Sequence, residues 1–331
     1  MRDLYPLVML PVFDPRPWGT RDLSPIYPHH HFAEKIGEAW LTADHSQVAN
    51  GWLRGQSLAQ LSAEYGRDMV GGSAPHPDRF PLLVKFLFPC EKLSVQVHPD
   101  EETARRLGQA CGKNECWYVA HAQARAQVAI GLKPGVTRAQ FEHSIQQERA
   151  EELLNWTDVR AGEMIYVAGG TVHTLGPGSI IVETQQPCNL TYRLYDYGRP
   201  RQLHLRDGLS ALKEKVGSGK VLPPPPTKSE DERNCRWPLL VSPYFVVELF
   251  ELNQPYELRT ASGQRSPQIL VVLEGCGVIE AADFEPVTVA TGDAVVVPAS
   301  LDGFRVRPQW SIGFLKSSLP NQEVPEPRTQ L

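Results

Sequence analysis

The chain has 331 residues, enough for two moderate domains with a core each. Hydrophobic residues at 41% and charged residues at 21% describe an ordinary globular protein and exclude a disordered or fibrous one. The net charge of −5 gives no global attraction for nucleic acid or an anionic membrane, so an anionic ligand would need a local basic pocket.

The 29 prolines and 26 glycines predict frequent turns between short strands, hence a mainly β protein. At the N-terminus the apolar run from Leu4 to Phe13 is broken by Pro6 and Pro11, and no small-residue cleavage site follows it. Neither a signal peptide nor a membrane segment is expected there, and the protein is read as cytoplasmic. The run His29-His30-His31, in a Pro-rich stretch, reads as an exposed loop that could take up metal adventitiously.

Short β-branched or aromatic-rich stretches bounded by Gly, Pro or Asn follow, as in a sandwich or barrel. They are Leu82 to Phe88, Leu93 to Val97, Cys116 to Val119, Gln127 to Ile130, Met164 to Val167 and Ser179 to Thr184. Two helices are predicted among them, one over Asp100 to Gln109 with acids first and arginines later, and one over Thr137 to Leu154 with Thr137 as N-cap. Gly217 to Glu232, with four consecutive prolines, can be neither a central strand nor a continuous helix. Strand patterns resume at Tyr244 to Leu252, Gln268 to Leu273, Val287 to Ala290 and Ala294 to Val297. The expected organisation is a first domain over 1–216 with helical segments about 100–155, a linker over 217–235, and a second β domain over 236–331. The six cysteines, Cys90, Cys111, Cys116, Cys188, Cys235 and Cys276, form no CxxC pair, so free thiols are expected.

One pattern recurs in both halves. Gly162-Glu163 followed by Met164 to Val167 leads to His173, and Gly292-Asp293 followed by Ala294 to Val297 leads to Gly303 at the same offset. This predicts a repeated hairpin whose histidine has been lost in the second copy.

In the strand around Val95, the two-residue period puts Ser94, Gln96 and His98 on one face, opposite Leu93, Val95 and Val97. Lys113-Asn114-Glu115 precedes another strand, and His173 follows the first hairpin. Two imidazoles, a carboxylate and an amide oxygen make a mixed nitrogen and oxygen set suited to zinc or another divalent first-row ion.

Gln96-Val97-His98-Pro99-Asp100, Lys113-Asn114-Glu115, Gly170-Thr171-Val172-His173, Glu183-Thr184-Gln185-Gln186 and Thr191 to Tyr197 occur in this order. With Pro17-Trp18-Gly19, Ile36-Gly37-Glu38-Ala39-Trp40 and Phe80 to Lys85, they resemble the short bacterial form of type I mannose-6-phosphate isomerases over roughly residues 10–215. The resemblance implies a cupin or jelly-roll β-barrel with a small helical insertion, followed by a second, smaller, metal-free β-barrel. It also implies zinc held by Gln96, His98, Glu115 and His173, interconversion of mannose 6-phosphate and fructose 6-phosphate, and Arg193 at the active site. Departures lie at Ala168, Gly169 and Thr174, where the family often has proline, alanine and alanine.

Beside that resemblance, Arg193 can grip a phosphate or developing anion with two prongs, or pair with Asp196 at the surface. Glu183 and Lys113 are the candidates for proton transfer, and Lys85 and Ser94 for substrate binding. The expected partner is a small sugar phosphate, with no nucleic acid or membrane, for a monomer or homodimer in carbohydrate metabolism. The alternatives are a non-catalytic sugar-phosphate-binding cupin and a metal-dependent cupin oxygenase, though two histidines are few for the iron site of the latter.

Overall fold

The computed structural model describes residues 3–222, 227–228, 233–259, 265–282, 284–321 and 324–330, with backbone only at 227–228. Among these residues three antiparallel sheets dominate. The first has eight strands in the order Val12–Thr20, Ile36–Thr42, Leu83–Leu87, Ser179–Gln185, Glu115–Ala122, Met164–Val167, Gly219–Val221 and Thr329–Gln330. The second has five, in the order Tyr192–Tyr195, Val95–Val97, His173–Leu175, Gln127–Leu132 and Leu154–Asp158. The third has nine, mostly from the C-terminal third of the chain, with Gln268–Glu280 and Gly303–Ser318 at its centre.

The eight-stranded sheet is buried on both faces, and the alternation of its side chains divides two cores. Leu87, Trp117, Val119, Ile165, Val167 and Ile181 face Val128, Ile130 and Leu175 of the five-stranded sheet. Their strand neighbours Phe86, Cys116, Tyr118, Met164, Tyr166, Ile180 and Val182 pack with Phe245, Val247, Ile269, Val271 and Leu315 of the C-terminal sheet. Thr184 Oγ1 and Ser317 Oγ, 3.0 Å apart, join these layers by a buried hydrogen bond. The two ends of the chain are exchanged between layers. Leu7–Met9 pairs with Ala294–Val297, while Thr329–Gln330 extends the sheet that carries Glu115.

The repeated hairpin is present in both halves with the same hydrogen bonds. Gly162 N donates to Val119 O and Gly292 N to Val272 O, and both glycines have a left-handed backbone, φ 88° and 91°. In this register Gln268 occupies the place of Glu115, paired with Val297 as Glu115 is with Val167. The second copy therefore carries Gln268 and Gly303 where the first has Glu115 and His173.

The predicted helices are shorter than expected. Asp100 caps a helix over Glu101–Arg106, accepting from Thr103 N at 2.8 Å. Thr137 and Gln140 form a capping box on Arg138–Gln146, but the chain then turns at Glu148 (φ 59°) through a 3-10 turn at Ala150–Leu153. Leu154, expected at the end of that helix, begins a strand opposite Leu132. Within the stretch expected to be a linker, Gly219–Val221 forms a strand paired on both sides, a correction to the expectation that no central strand occurs there. The prolines at 223–226 lie outside the described residues.

Candidate active site

Strand register assembles the site from two rows. On the five-stranded sheet Gln96 is the Cα partner of both His173 and Arg193, so the three side chains leave one face of adjacent strands. On the eight-stranded sheet Glu183 is the Cα partner of both Lys85 and Trp117. Both rows face a cavity of about 520 Å³ whose walls include Ser94, Gln96, Lys113, His173, Lys85, Glu183, Trp117 and Arg193.

His98, Glu115 and His173 meet beneath this cavity, with at most 1% of each side chain exposed, and are the one group of three or more His, Cys, Asp or Glu among the described residues that could hold a metal ion. His98 Nδ1 donates to Leu190 O at 3.0 Å and His173 Nδ1 to Thr171 O at 2.9 Å. A carbonyl only accepts, so both neutral rings carry their proton on Nδ1 and present an Nε2 lone pair. Those nitrogens stand 3.4 Å and 3.3 Å from the two oxygens of Glu115. Lone pairs converging on a buried carboxylate call for a cation, and the set matches the nitrogen and oxygen donors of a divalent first-row ion. The ammonium of Lys113 approaches the same place, 3.0 Å from His98 Nε2 and 3.0 Å from Glu115 Oε2.

The electrostatics agree. Burial, then the charge of Lys113, pushes the His98 pKa down to about 3, and burial lowers His173 as well. Burial alone would raise Glu115, but the positive charge beside it, Lys113 first, holds the carboxyl well below its usual range. Donor atoms are thus in the forms that bind metal. Gln96 turns its amide nitrogen to His173 Nε2 at 3.2 Å, while its oxygen, the atom expected as a ligand, accepts from Ser94 Oγ at 3.2 Å.

Glu183 is held by Trp117 Nε1 at 3.1 Å and Lys85 Nζ at 2.7 Å. Burial and the nearby charge of Glu115 raise its pKa against the pull of Lys85 and Lys113. Lys85 does not snorkel outward; it is buried, and Glu183 and Glu38 outweigh desolvation to keep it charged. Arg193 is not spent on Asp196, whose carboxylate takes two 2.6 Å bonds from Arg201 and leaves Arg193 Nε 4.0 Å away. Arg193 Nη1 donates to Gln202 O at 2.9 Å, and its buried Nε has no hydrogen-bond acceptor among the described residues.

His29, His30 and His31 are exposed and away from any metal-binding group among the described residues; His30 stacks on Phe32 with centroids 6.0 Å apart. Gly169, a departure from the expected alanine, has no room for a Cβ, which would lie 2.6 Å from Asp100 Cα. Thr174 donates to Leu93 O at 2.8 Å across neighbouring strands. Sequence reasoning gave no role to Arg16, Glu38, Trp117 or Arg201, all on the cavity wall, although Glu38 and the neighbours of Arg16 lie in motifs it singled out.

A family model described as the phosphomannose isomerase type I catalytic domain matches residues 20–114. The mannose-6-phosphate isomerase ManA of Bacillus subtilis is 33% identical over 315 residues, covering 91% of this chain and 95% of the relative. This chain belongs to the mannose-6-phosphate isomerase family. The enzyme of that name from Streptococcus mutans is 32% identical, over 87% of this chain and 90% of its own length. A crystal structure of a mannose 6-phosphate isomerase from Bacillus subtilis superposes with a TM-score of 0.83 at 29% identity, covering 94% of this chain and 99% of that one. A phosphomannose isomerase from Salmonella typhimurium, 15% identical with a TM-score of 0.75 over 94% and 98% of the two chains, shares the fold. The family's cupin fold, expected from the motifs, is thus the fold of this chain.

Proposed function

We propose that this chain interconverts mannose 6-phosphate and fructose 6-phosphate by proton transfer, using a divalent ion, zinc in the first instance, held by Gln96, His98, Glu115 and His173. The observation that carries this reading is the convergence of two imidazole Nε2 atoms on the buried Glu115 carboxylate beneath a cavity walled by Glu183, Lys85 and Arg193. Gln96 would join as an oxygen ligand by a half-turn of its amide, since the Ser94 hydroxyl can donate to or accept from either end.

When bound, the ion supplies polarisation of the sugar's carbonyl and neighbouring hydroxyl oxygens. Glu183 takes the proton from the carbon beside the carbonyl and returns it to the adjacent carbon, giving an enediol-type intermediate between the two sugars. Burial and the charge of Glu115 raise the pKa of Glu183, which makes it a stronger base than a free carboxylate. Lys113 offers an ammonium to a sugar oxygen, and Arg193 offers its Nε, only loosely paired with Asp196 at 4.0 Å, to the phosphate or the developing anion. Lys85 and Ser94 face the sugar, while Trp18, Leu87, Leu93 and Leu175 exclude water from it.

Residues 1–216 are read as the catalytic unit and 236–331 as a metal-free unit covering its outer face. Free cysteines and a phosphorylated substrate support a cytoplasmic location, and no described helix is long and apolar enough to cross a membrane. A coupled assay for fructose 6-phosphate tests the proposal: turnover should vanish with chelator and return with zinc. Binding of mannose 6-phosphate without turnover in the zinc-loaded protein would instead make this a non-catalytic binding protein.

A further inference from the structure

Two motifs singled out in the sequence, Pro17-Trp18-Gly19 and Ile36 to Trp40, contribute to the reaction as described so far only the Trp18 ring on the cavity wall. They meet in a close contact of adjacent strands. A Cβ on Gly19 would lie 2.3 Å from the carbonyl of Ile36, and one on Gly37 would lie 2.5 Å from Arg16 Cβ and 2.8 Å from the Trp18 ring. Gly19 leaves room for the backbone of Ile36 and Gly37, and Gly37 for the stem of Arg16 and the ring of Trp18.

What this close packing secures is Glu38. Its side chain is 11% exposed and lines the cavity. Oε2 accepts from Trp40 Nε1 at 2.6 Å and from Arg16 Nη2 at 3.2 Å, and Arg16 is itself anchored on Asp14 at 2.7 Å. The same oxygen stands 3.8 Å from Lys85 Nζ, whose shorter contact, 2.7 Å, is with Glu183. Lys85 lies between the two carboxylates, above the Trp40 ring at 5.5 Å.

We infer that Glu38, clamped by Arg16 and Trp40, is a positioning residue for the isomerisation, fixing the Lys85 ammonium between two carboxylates so that Glu183 keeps one orientation toward the substrate. The inference rests on reading Glu183 as the proton-transfer group. It goes beyond that reading by making Lys85 a shared counter-ion. Glu183 is faced by Lys85 from its own sheet, by Trp117, Glu115 and Lys113 from the neighbouring strand and its approach, and by Glu38 and Arg16 from beyond Lys85. Without the Glu38 charge, Lys85 would pair with Glu183 alone. The carboxylate would then be held more firmly in its ionised form and become a weaker base.

The test is Glu38→Gln in the zinc-loaded protein, since glutamine retains an oxygen for Trp40 and Arg16 but lacks the charge. Expected are a fall in kcat of about 10- to 100-fold, a KM for mannose 6-phosphate within about threefold, full zinc content, and an acid limb of the kcat profile moved to lower pH. Glu38→Asp, which restores the charge, should recover part of kcat and return the limb toward its original pH. An unmoved limb in Glu38→Gln, or equal losses in both variants, would overturn the inference and leave Glu38 a packing residue. Glu183→Gln separates the two readings: if it retains full activity, the assignment of Glu183 fails, whereas if it is inactive and the Glu38→Gln limb is unmoved, only the role of Glu38 fails.

Discussion

His173 and Gln96 are Cα partners on adjacent antiparallel strands, and their Nε2 atoms lie 3.2 Å apart although 77 positions separate them in the chain. Direct opposition puts both side chains on one face, and the carbonyl of Thr171 fixes the imidazole by taking its Nδ1 proton. Of the proposed ligands, Gln96 and His173 therefore stand side by side on one sheet, Glu115 on the facing sheet, and His98 directly after a strand.

Removing one imidazole should release the ion. His98→Ala or His173→Ala is expected to lose zinc and at least about 100-fold in activity together. Metal analysis beside the coupled assay checks this, and a His173→Ala protein with full metal and full activity would refute the ligand assignment.

The histidines also predict an acid response of protein stripped of metal by chelation. The His98 pKa is about 3 in the fold, against roughly 6.5 in an unfolded chain. The unfolded state thus binds the extra proton first as pH falls. The stabilising contribution is fully present above about pH 6.5 and is lost toward pH 3, amounting to about 2 kcal/mol from His98 between pH 6.5 and 5. Denaturant titrations over that range, compared with His98→Gln, should show the difference, and nitrogen NMR at pH 6 should find both rings with the proton on Nδ1.

Arg193→Lys keeps the charge but loses the planar fork, so mannose 6-phosphate turnover should fall by about tenfold or more. The contact is with phosphate if unphosphorylated mannose loses much less in kcat/KM. Equal losses would place Arg193 at the developing anion instead.

Turnover in deuterated water should place deuterium at C1 of fructose 6-phosphate or C2 of mannose 6-phosphate, because a proton held on a carboxylate exchanges with solvent. Glu183→Gln should keep its metal and lose about 100-fold or more in rate. Direct transfer of the C2 label with no loss in the variant would point to a hydride shift.

Phe245, fully buried against Tyr166 with ring centroids 6.4 Å apart, lies in the core between the Glu115 sheet and the C-terminal sheet. Phe245→Ala should cost about 3–5 kcal/mol. Because this core is continuous, one cooperative thermal transition should shift, with the zinc content of the folded protein unchanged.

The mainly β class, the helix caps at Asp100 and Thr137 and the candidate ligands His98, Glu115 and His173 were legible in the sequence. Each depends on local chemistry: turn residues between short strands, a side-chain oxygen three residues before an amide, and imidazoles and a carboxylate within recognisable motifs. Gly303, at the His173 position of the second hairpin, was visible in the sequence, whereas Gln268, at the Glu115 position, emerged from strand register alone. Only the tertiary structure put Arg193 in a row with Gln96 and His173, gave Asp196 to Arg201, and set Lys85 between Glu183 and Glu38. It also carried Leu7–Met9 into the C-terminal sheet and Thr329–Gln330 into the sheet bearing Glu115. Pairing between strands far apart in the chain leaves no local pattern, because a strand's alternation records which side chains are buried and not which strand lies beside it.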